Sequence, residues 1–330
     1  MVVKSEKQRV KRLRQIYDTA QQRKKKGKLS TWIVTARTRA RYIKCVNDFI
    51  KFVVAWKGRL PAEMVDWDEA LCLYVENLYD EGLPKATAQY TASGLQYFMP
   101  SFKHNLGRTW QLLKAWAKAE IPDRAWPLSL MLVQNMIVHQ LANSEPLMAV
   151  GLWLGFHAFL RTAELCLLRW EDVSFTANNE RGVILLRDTK SGQRIAHMEG
   201  VTLDDPLLCR LMVALCPVPS KGLIVGLTSG QFRGRFQHIV DLLRLNGLSL
   251  RPYSLRRGGA TYMFRETGVL SRIMVRGRWA SEKSCRLYVM EGVGQLANLR
   301  LDQQQRSVFE AQSEKFSVLV KAVIPQLKKF

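Results

Sequence analysis

A mainly α-helical protein of two domains, carrying one small three-stranded antiparallel sheet, is what this sequence predicts. Three observations lead there. Apolar residues recur at three- and four-residue spacing over most of the 330-residue chain, which is the helical period. The segment Ile121-Pro-Asp-Arg-Ala-Trp-Pro127 interrupts that pattern with two prolines and leaves a part of domain size on either side. Only after Asp172 does the pattern change to short runs of β-forming residues between turn signals. Hydrophobic residues make up 47% of the chain, which excludes wholesale disorder.

Residues 1–29 read as a basic arm. Residues 1 to 28 hold eleven lysines and arginines against Glu6 and Asp18, so the segment tracks phosphates, serves as a nuclear address, or is a solvated tail. Residues 30–120 read as four helices. In the first, Tyr42, Val46, Phe49, Ile50, Val53 and Val54 form one apolar face, and Arg37, Arg39, Arg41, Lys44 and Lys51 mark the other. Asp66 or Asp68 is the expected cap of the second helix, which points Leu71, Tyr74, Val75 and Leu78 inward. Gly82-Leu-Pro84 ends it. The third runs through Tyr90, Leu95 and Phe98 to Pro100, and the fourth through Leu106, Trp110, Leu113 and Trp116.

Residues 121–127 are the expected linker, and 128–300 the second domain. A helical stretch covers about Leu128 to Leu168. Val173–Thr176, Gly182–Arg187 and Arg194–Met198 read as strands, with Asp188–Gln193 as the turn between the last two. Helices resume near Leu207. Residues 301–330 form a tail with an apolar side that includes Phe309, Phe316, Leu319 and Val323.

The formal net charge is +22. An excess of this size favours a polyanionic partner, with nucleic acid ahead of an anionic membrane surface. The six cysteines form no C-x-x-C pair and the five histidines no ligand spacing, so no metal site is expected and the thiols read as reduced and intracellular. The most apolar stretch, Pro146 to Leu160, is shorter than a membrane span of about 20 residues. Met1-Val-Val-Lys-Ser lacks the apolar core of a secretory signal.

Chemistry-bearing residues cluster in the second half. In chain order they are Arg161-Thr-Ala-Glu164, Lys190 in its turn, Tyr253-Ser-Leu-Arg256-Arg257-Gly-Gly-Ala-Thr261, Gly277-Arg-Trp279 and Tyr288. Cleaving a phosphodiester without a metal needs fixed cations at the nonbridging oxygens, and the arginine fork suits that task. A lysine can protonate the leaving oxygen, and a phenol can store the phosphodiester as an ester. Taken singly, Arg161 with Glu164 is an ordinary helix salt bridge, Lys190 a turn lysine, and Trp279 and Tyr288 core aromatics.

Taken together, in this order and spacing, the set resembles the tyrosine recombinases, the phage-integrase family of DNA strand-transfer enzymes. The resemblance covers about residues 125 to 295. It implies Arg161 as first arginine with Glu164 as its support, Lys190 as general acid, Arg256 as second arginine with Arg257 as a DNA-contacting neighbour, Trp279 beside the phosphate, and Tyr288 as nucleophile. Tyr253 departs from the pattern. The family most often places His there, and a phenol is a poor base near neutral pH, so losing the base costs about two orders of magnitude in rate. His157, four residues before Arg161, reads as a core histidine and is the best substitute imidazole.

The fold implied is a helical, SAM-like core-binding domain carrying DNA-binding Arg37, Arg39, Arg41 and Lys44, followed by an α-rich catalytic domain with a small sheet. The implied activity is site-specific recombination or integration through a 3′-phosphotyrosyl intermediate. Double-stranded DNA is the expected partner, with self-association into a tetramer on paired sites and exchange of the 301–330 tail. No cofactor, metal, membrane or small-molecule substrate is implied. A type IB topoisomerase and a DNA-binding protein that keeps only the fold are the alternatives. The basic arm and the Arg256 box point to the nucleus, with a bacterial cytoplasm as the alternative.

Overall fold

The computed structural model describes residues 15, 17–25, 27–121, 123–187, 199–218 and 220–327. The chain divides into two compact units, Met1–Asp123 and Arg124–Phe330.

The first unit is built on α1 (Ala36–Lys57), α2 (Met64–Asp80), α3 (Lys85–Phe98) and α4 (Gly107–Ala119), with a 3-10 turn at Pro100–His104. Thr35 caps α1 by accepting from the Thr38 amide. Gly58 ends it in the left-handed region at φ 71°, a conformation that costs glycine little. Phe49, Val53, Leu71, Val75, Leu95 and Leu113 fill the core. The expected cap of α2 is corrected. Glu63 precedes that helix without a side-chain bond, and buried Asp68 lies within it. Asp68 instead accepts from the Arg108 and Thr109 amides at 3.0 and 3.1 Å, capping α4 from a neighbouring helix. Sequence spacing does not reveal a cap that comes from 40 residues away.

In the second unit the expected continuous stretch from Leu128 to Leu168 is three helices, α5 (Leu130–Ala142), α6 (Pro146–His157) and α7 (Thr162–Leu167). Ser144 and Phe159 take positive φ, 59° and 50°, and break the run on either side of α6. The sheet follows as β1 (Val173–Phe175), β2 (Gly182–Leu186) and β3 (Glu199–Leu203). It is antiparallel in that order, with Ile184 opposite Val173 and Val201. Ile184, Leu186, Val201 and Leu203 turn inward with period two. The expected strand Arg194–Met198 and the Asp188–Gln193 turn, with Lys190, lie outside the described residues.

The remaining helices are α8 (Pro206–Leu215), α9 (Ser229–Leu242), α10 (Tyr253–Thr267), α11 (Leu270–Gly277), α12 (Glu282–Arg286), α13 (Glu291–Leu299), α14 (Gln303–Glu314) and α15 (Phe316–Leu327). One expectation changes here. Ala125 and Leu128 are buried, the Trp126 amide donates to Ser249 O, and Arg300 lies over the Trp126 ring, so this end of the expected linker is packed into the second unit. Within this single chain the described part of the tail packs on its own unit. Phe309, Phe316 and Val320 join the main core, and Phe316 meets Trp153 edge-on at 5.0 Å.

Candidate active site

The break at Phe159 sets the first half of the site. Arg161 is not inside a helix, as an i, i+3 salt bridge would require. It is the N-cap of α7, with φ −72° and ψ 149°. Its amide donates to Glu164 Oε2 at 2.9 Å and its Nη1 to Glu164 Oε1 at 2.5 Å, so Glu164 satisfies an orphan amide and orients the guanidinium together. Glu164 is itself buried, and Arg278 Nη2 approaches its Oε2 at 2.7 Å. Burial pushes the Glu164 carboxyl up, but Arg278 and the two bonds from Arg161 outweigh it and hold the pKa below the ordinary value. Arg278 Nη1 also lies 3.6 Å from Glu199 Oε2 at the start of β3.

Helix α10 forms the floor. A Cβ on Gly258 would overlap Leu128 O, and one on Gly259 would overlap Phe156 O. The paired glycines therefore let α10 lie directly against the chain before α5 and the end of α6. Arg256 is consequently fully buried. It donates Nη1 to Phe159 O and Nη2 to Gly277 O, and its guanidinium lies 4.6 Å from the Trp279 ring centre and 5.5 Å from that of Tyr288. Burial, then the nearby Arg161 and Arg278 charges, bring its pKa down to about 10, so it stays protonated at neutral pH.

Tyr288 is half-buried and its ring lies 4.3 Å from that of Trp279. The Tyr253 hydroxyl donates to the Tyr288 hydroxyl. Burial raises the Tyr288 pKa, but the hydrogen bonds with Tyr253 and Trp279 and the Arg256 and Arg161 charges together lower it below the ordinary phenol value. Tyr253 moves the opposite way, upward, through burial and its neighbour Tyr288. Two buried donors, Arg256 Nε and Arg278 Nε, have no hydrogen-bond partner. Such groups cost free energy unless an acceptor arrives. The cluster therefore sets positive charge beside a phenol. Among the described residues no group of His, Cys, Asp and Glu side chains is arranged to hold a metal ion.

Neither a family model nor a curated relative matches the sequence. Solved structures do match. The Tn1549 transposon integrase in complex with transposon right-end DNA aligns at 13% identity over 86% of this chain and 98% of that one, with a TM-score of 0.55. The XerH site-specific recombinase on a palindromic difH substrate aligns at 14% identity over 82% and 78%, with a TM-score of 0.50. The chain has the tyrosine recombinase fold.

On that fold, Arg161, Glu164, Tyr253, Arg256, Trp279 and Tyr288 form one cluster of neighbouring side chains, while Lys190 lies outside the described residues. Arg256 was expected to touch phosphate directly. Here no part of it reaches solvent, and Arg161, with 27% of its side chain exposed, is the accessible arginine. Arg257, expected at the DNA, is 3% exposed and donates to Ala125 O at 2.9 Å and Leu287 O at 2.5 Å. It fastens the Tyr288 segment to α10. In the first unit Arg37, Arg39 and Lys44 are exposed on α1, whereas Arg41 donates to Tyr90 Oη at 2.9 Å and lies over its ring. His157 pairs with Asp204 at 2.7 Å, and Arg276 pairs with the same carboxylate at 2.5 Å.

Sequence reasoning missed Arg278. Its only signal was adjacency to Trp279, because Glu164 and Glu199 are distant in the chain. No helix among the described residues is long and apolar enough to cross a membrane.

Proposed function

We propose that this protein is a site-specific DNA recombinase or integrase that cleaves and rejoins DNA through Tyr288. One observation carries the reading. The Tyr288 ring lies against Trp279 with the buried Arg256 guanidinium 5.5 Å from its centre and the Tyr253 hydroxyl at its oxygen, a cationic setting of the kind that a pentavalent phosphorane requires. In this reading Tyr288 Oη attacks a backbone phosphorus. A phosphorus–tyrosine oxygen bond forms as the bond to the 5′ oxygen breaks, leaving a 3′-phosphotyrosyl link. Arg161 and Arg256 offset the added negative charge, and Lys190 gives its proton to the 5′ oxygen. Attack by a 5′ hydroxyl reverses the step and rejoins the strand, so no nucleotide cofactor is consumed.

The partner in this reading is double-stranded DNA, held mostly through phosphates by exposed basic residues such as Arg37, Arg39 and Lys44. Assembly on paired sites, as a tetramer, follows from the reaction, since two duplexes must exchange strands. A nuclear location, with a bacterial cytoplasm as the alternative, completes the proposal.

The test is a suicide-substrate assay on nicked duplex DNA of randomised sequence, run in EDTA with wild type and Tyr288→Phe side by side. A covalent adduct with wild type alone is expected. A second reading, a DNA-binding protein that keeps the fold without cleaving, is favoured by the full cover over Arg256 and by Tyr253 in place of a base. DNA binding without any adduct supports that reading instead. Relaxation of a plasmid that lacks paired sites would identify a topoisomerase.

A further inference from the structure

Helix α10 holds the Tyr288 segment along one stripe. Tyr253, Arg257 and Thr261 are spaced by four and so share a helix face. Tyr253 Oη donates to Tyr288 Oη, Arg257 Nη2 donates to Leu287 O, and Thr261 Oγ1 donates to Tyr288 O at 3.1 Å while accepting from the Met290 amide. The backbone on both sides of the candidate nucleophile is fixed by two members of the stripe, and the third meets the reacting oxygen. Tyr253 is 39% exposed and touches no other side chain by hydrogen bond among the described residues.

We propose that Tyr253 is a positioning residue that donates a hydrogen bond to the Tyr288 oxygen, so that Tyr288 releases its proton to water rather than to a protein base. The inference rests on the recombinase reading for its consequence but not for its test. It follows from the contact between the two hydroxyls and from the charges around the pair. Facing Tyr288 are Tyr253, Arg256 and Arg257 from α10, Arg161 from the start of α7, and Trp279 after α11. Among the described residues, none that faces Tyr288 is a carboxylate or imidazole that accepts a proton near neutral pH. His157, the nearest candidate base from sequence, is engaged with Asp204 and Arg276.

The proton balance is simple. Tyr253 Oη–H stays intact throughout. The Tyr288 proton passes to water, its oxygen lone pair forms the bond to phosphorus, and the bonding pair of the broken phosphorus–oxygen bond leaves with the 5′ oxygen, which takes a proton from Lys190. On rejoining, the departing Tyr288 phenolate is received by the same Tyr253 hydroxyl. Histidine at this position would act differently, as a base that titrates near neutral pH.

Two measurements test this. The first needs no DNA. The full chain labelled at tyrosine Cζ is titrated by NMR, with Tyr288→Phe used to assign the signal. Tyr288 is expected to ionise below the ordinary phenol range in wild type and to move upward in Tyr253→Phe. An unchanged Tyr288 titration in Tyr253→Phe overturns the proposal. The second is the pH profile of single-turnover cleavage. Tyr253→Phe is expected to lower the rate by about ten- to a hundredfold at neutral pH, the strength of a hydrogen bond to a charged oxygen. That deficit should shrink as pH rises through the phenol range, and Tyr253→His should restore activity with a plateau near neutrality. A deficit that is constant across pH overturns the proposal. Absence of cleavage in wild type with a shifted Tyr288 titration defeats the recombinase reading alone.

Discussion

Arg278 Nη2 lies 2.7 Å from Glu164 Oε2, and the other oxygen of that carboxylate receives Arg161 Nη1 at 2.5 Å. The orientation of Arg161 therefore depends on a residue more than a hundred positions later. Arg278 adopts a left-handed φ of 57° at the end of α11, which directs its side chain toward both Glu164 and Glu199 at the base of the β2–β3 hairpin.

Arg278→Met leaves the buried Glu164 carboxylate with one partner. We expect a loss of about 3–5 kcal/mol, the usual cost of breaking a buried pair from one side, measured by denaturant unfolding. The pH dependence has a definite sign. The folded Glu164 pKa lies below its unfolded value of 4.5, so its contribution is complete above about pH 4.5 and is lost as pH falls through the folded value. In Arg278→Met the folded value rises toward 4.5, so that loss should be smaller and be complete at a higher pH. An acid limb that does not move would show that Glu164 does not depend on Arg278.

Arg257 and the α1 basic residues should separate under salt. Replacing Arg37, Arg39 and Lys44 together by alanine should weaken DNA binding and reduce the slope of log affinity against log salt by about 0.9 for each phosphate no longer neutralised. Arg257→Met should leave that slope unchanged while lowering stability and cleavage, because its guanidinium holds Ala125 O and Leu287 O. A reduced slope in Arg257→Met would place it at the DNA after all.

Phe316→Ala tests the folded-back tail. Phe316 is 6% exposed and packs on Trp153 within the main core. Its truncation should cost about 3–5 kcal/mol at protein concentrations where the chain is monomeric. A cost that appears only at concentrations where the chain self-associates would mean that the tail is held by a neighbour.

Much of the fold was readable because it rests on local rules. The four helices of the first unit follow the spacing of Phe49, Val53, Leu71, Leu95 and Leu113, and their ends follow Gly58, Gly82 and Pro100. The sheet announces itself through period two at Ile184 and Leu186. The misreadings have two causes, a partner distant in the chain and a backbone conformation that residue type does not encode. Asp68 caps α4 rather than its own helix, and the stretch after Leu128 breaks at Phe159 because a positive φ there is not written in residue type.

The candidate site divides in the same way. By itself the sequence determined which groups are present, since the order of Arg161, Glu164, Tyr253, Arg256, Trp279 and Tyr288 needs no coordinates to state. Only the tertiary structure decided what each does there. It buried Arg256 and Arg257 against backbone carbonyls, left Arg161 accessible, made Arg278 the second partner of Glu164, and joined Tyr253 to Tyr288. The physical reason is that burial and hydrogen-bond partnership depend on which segments meet. Close approach at Gly258 and Gly259 brings α10 against α6, and with it the charges that set the acidity of a single phenol.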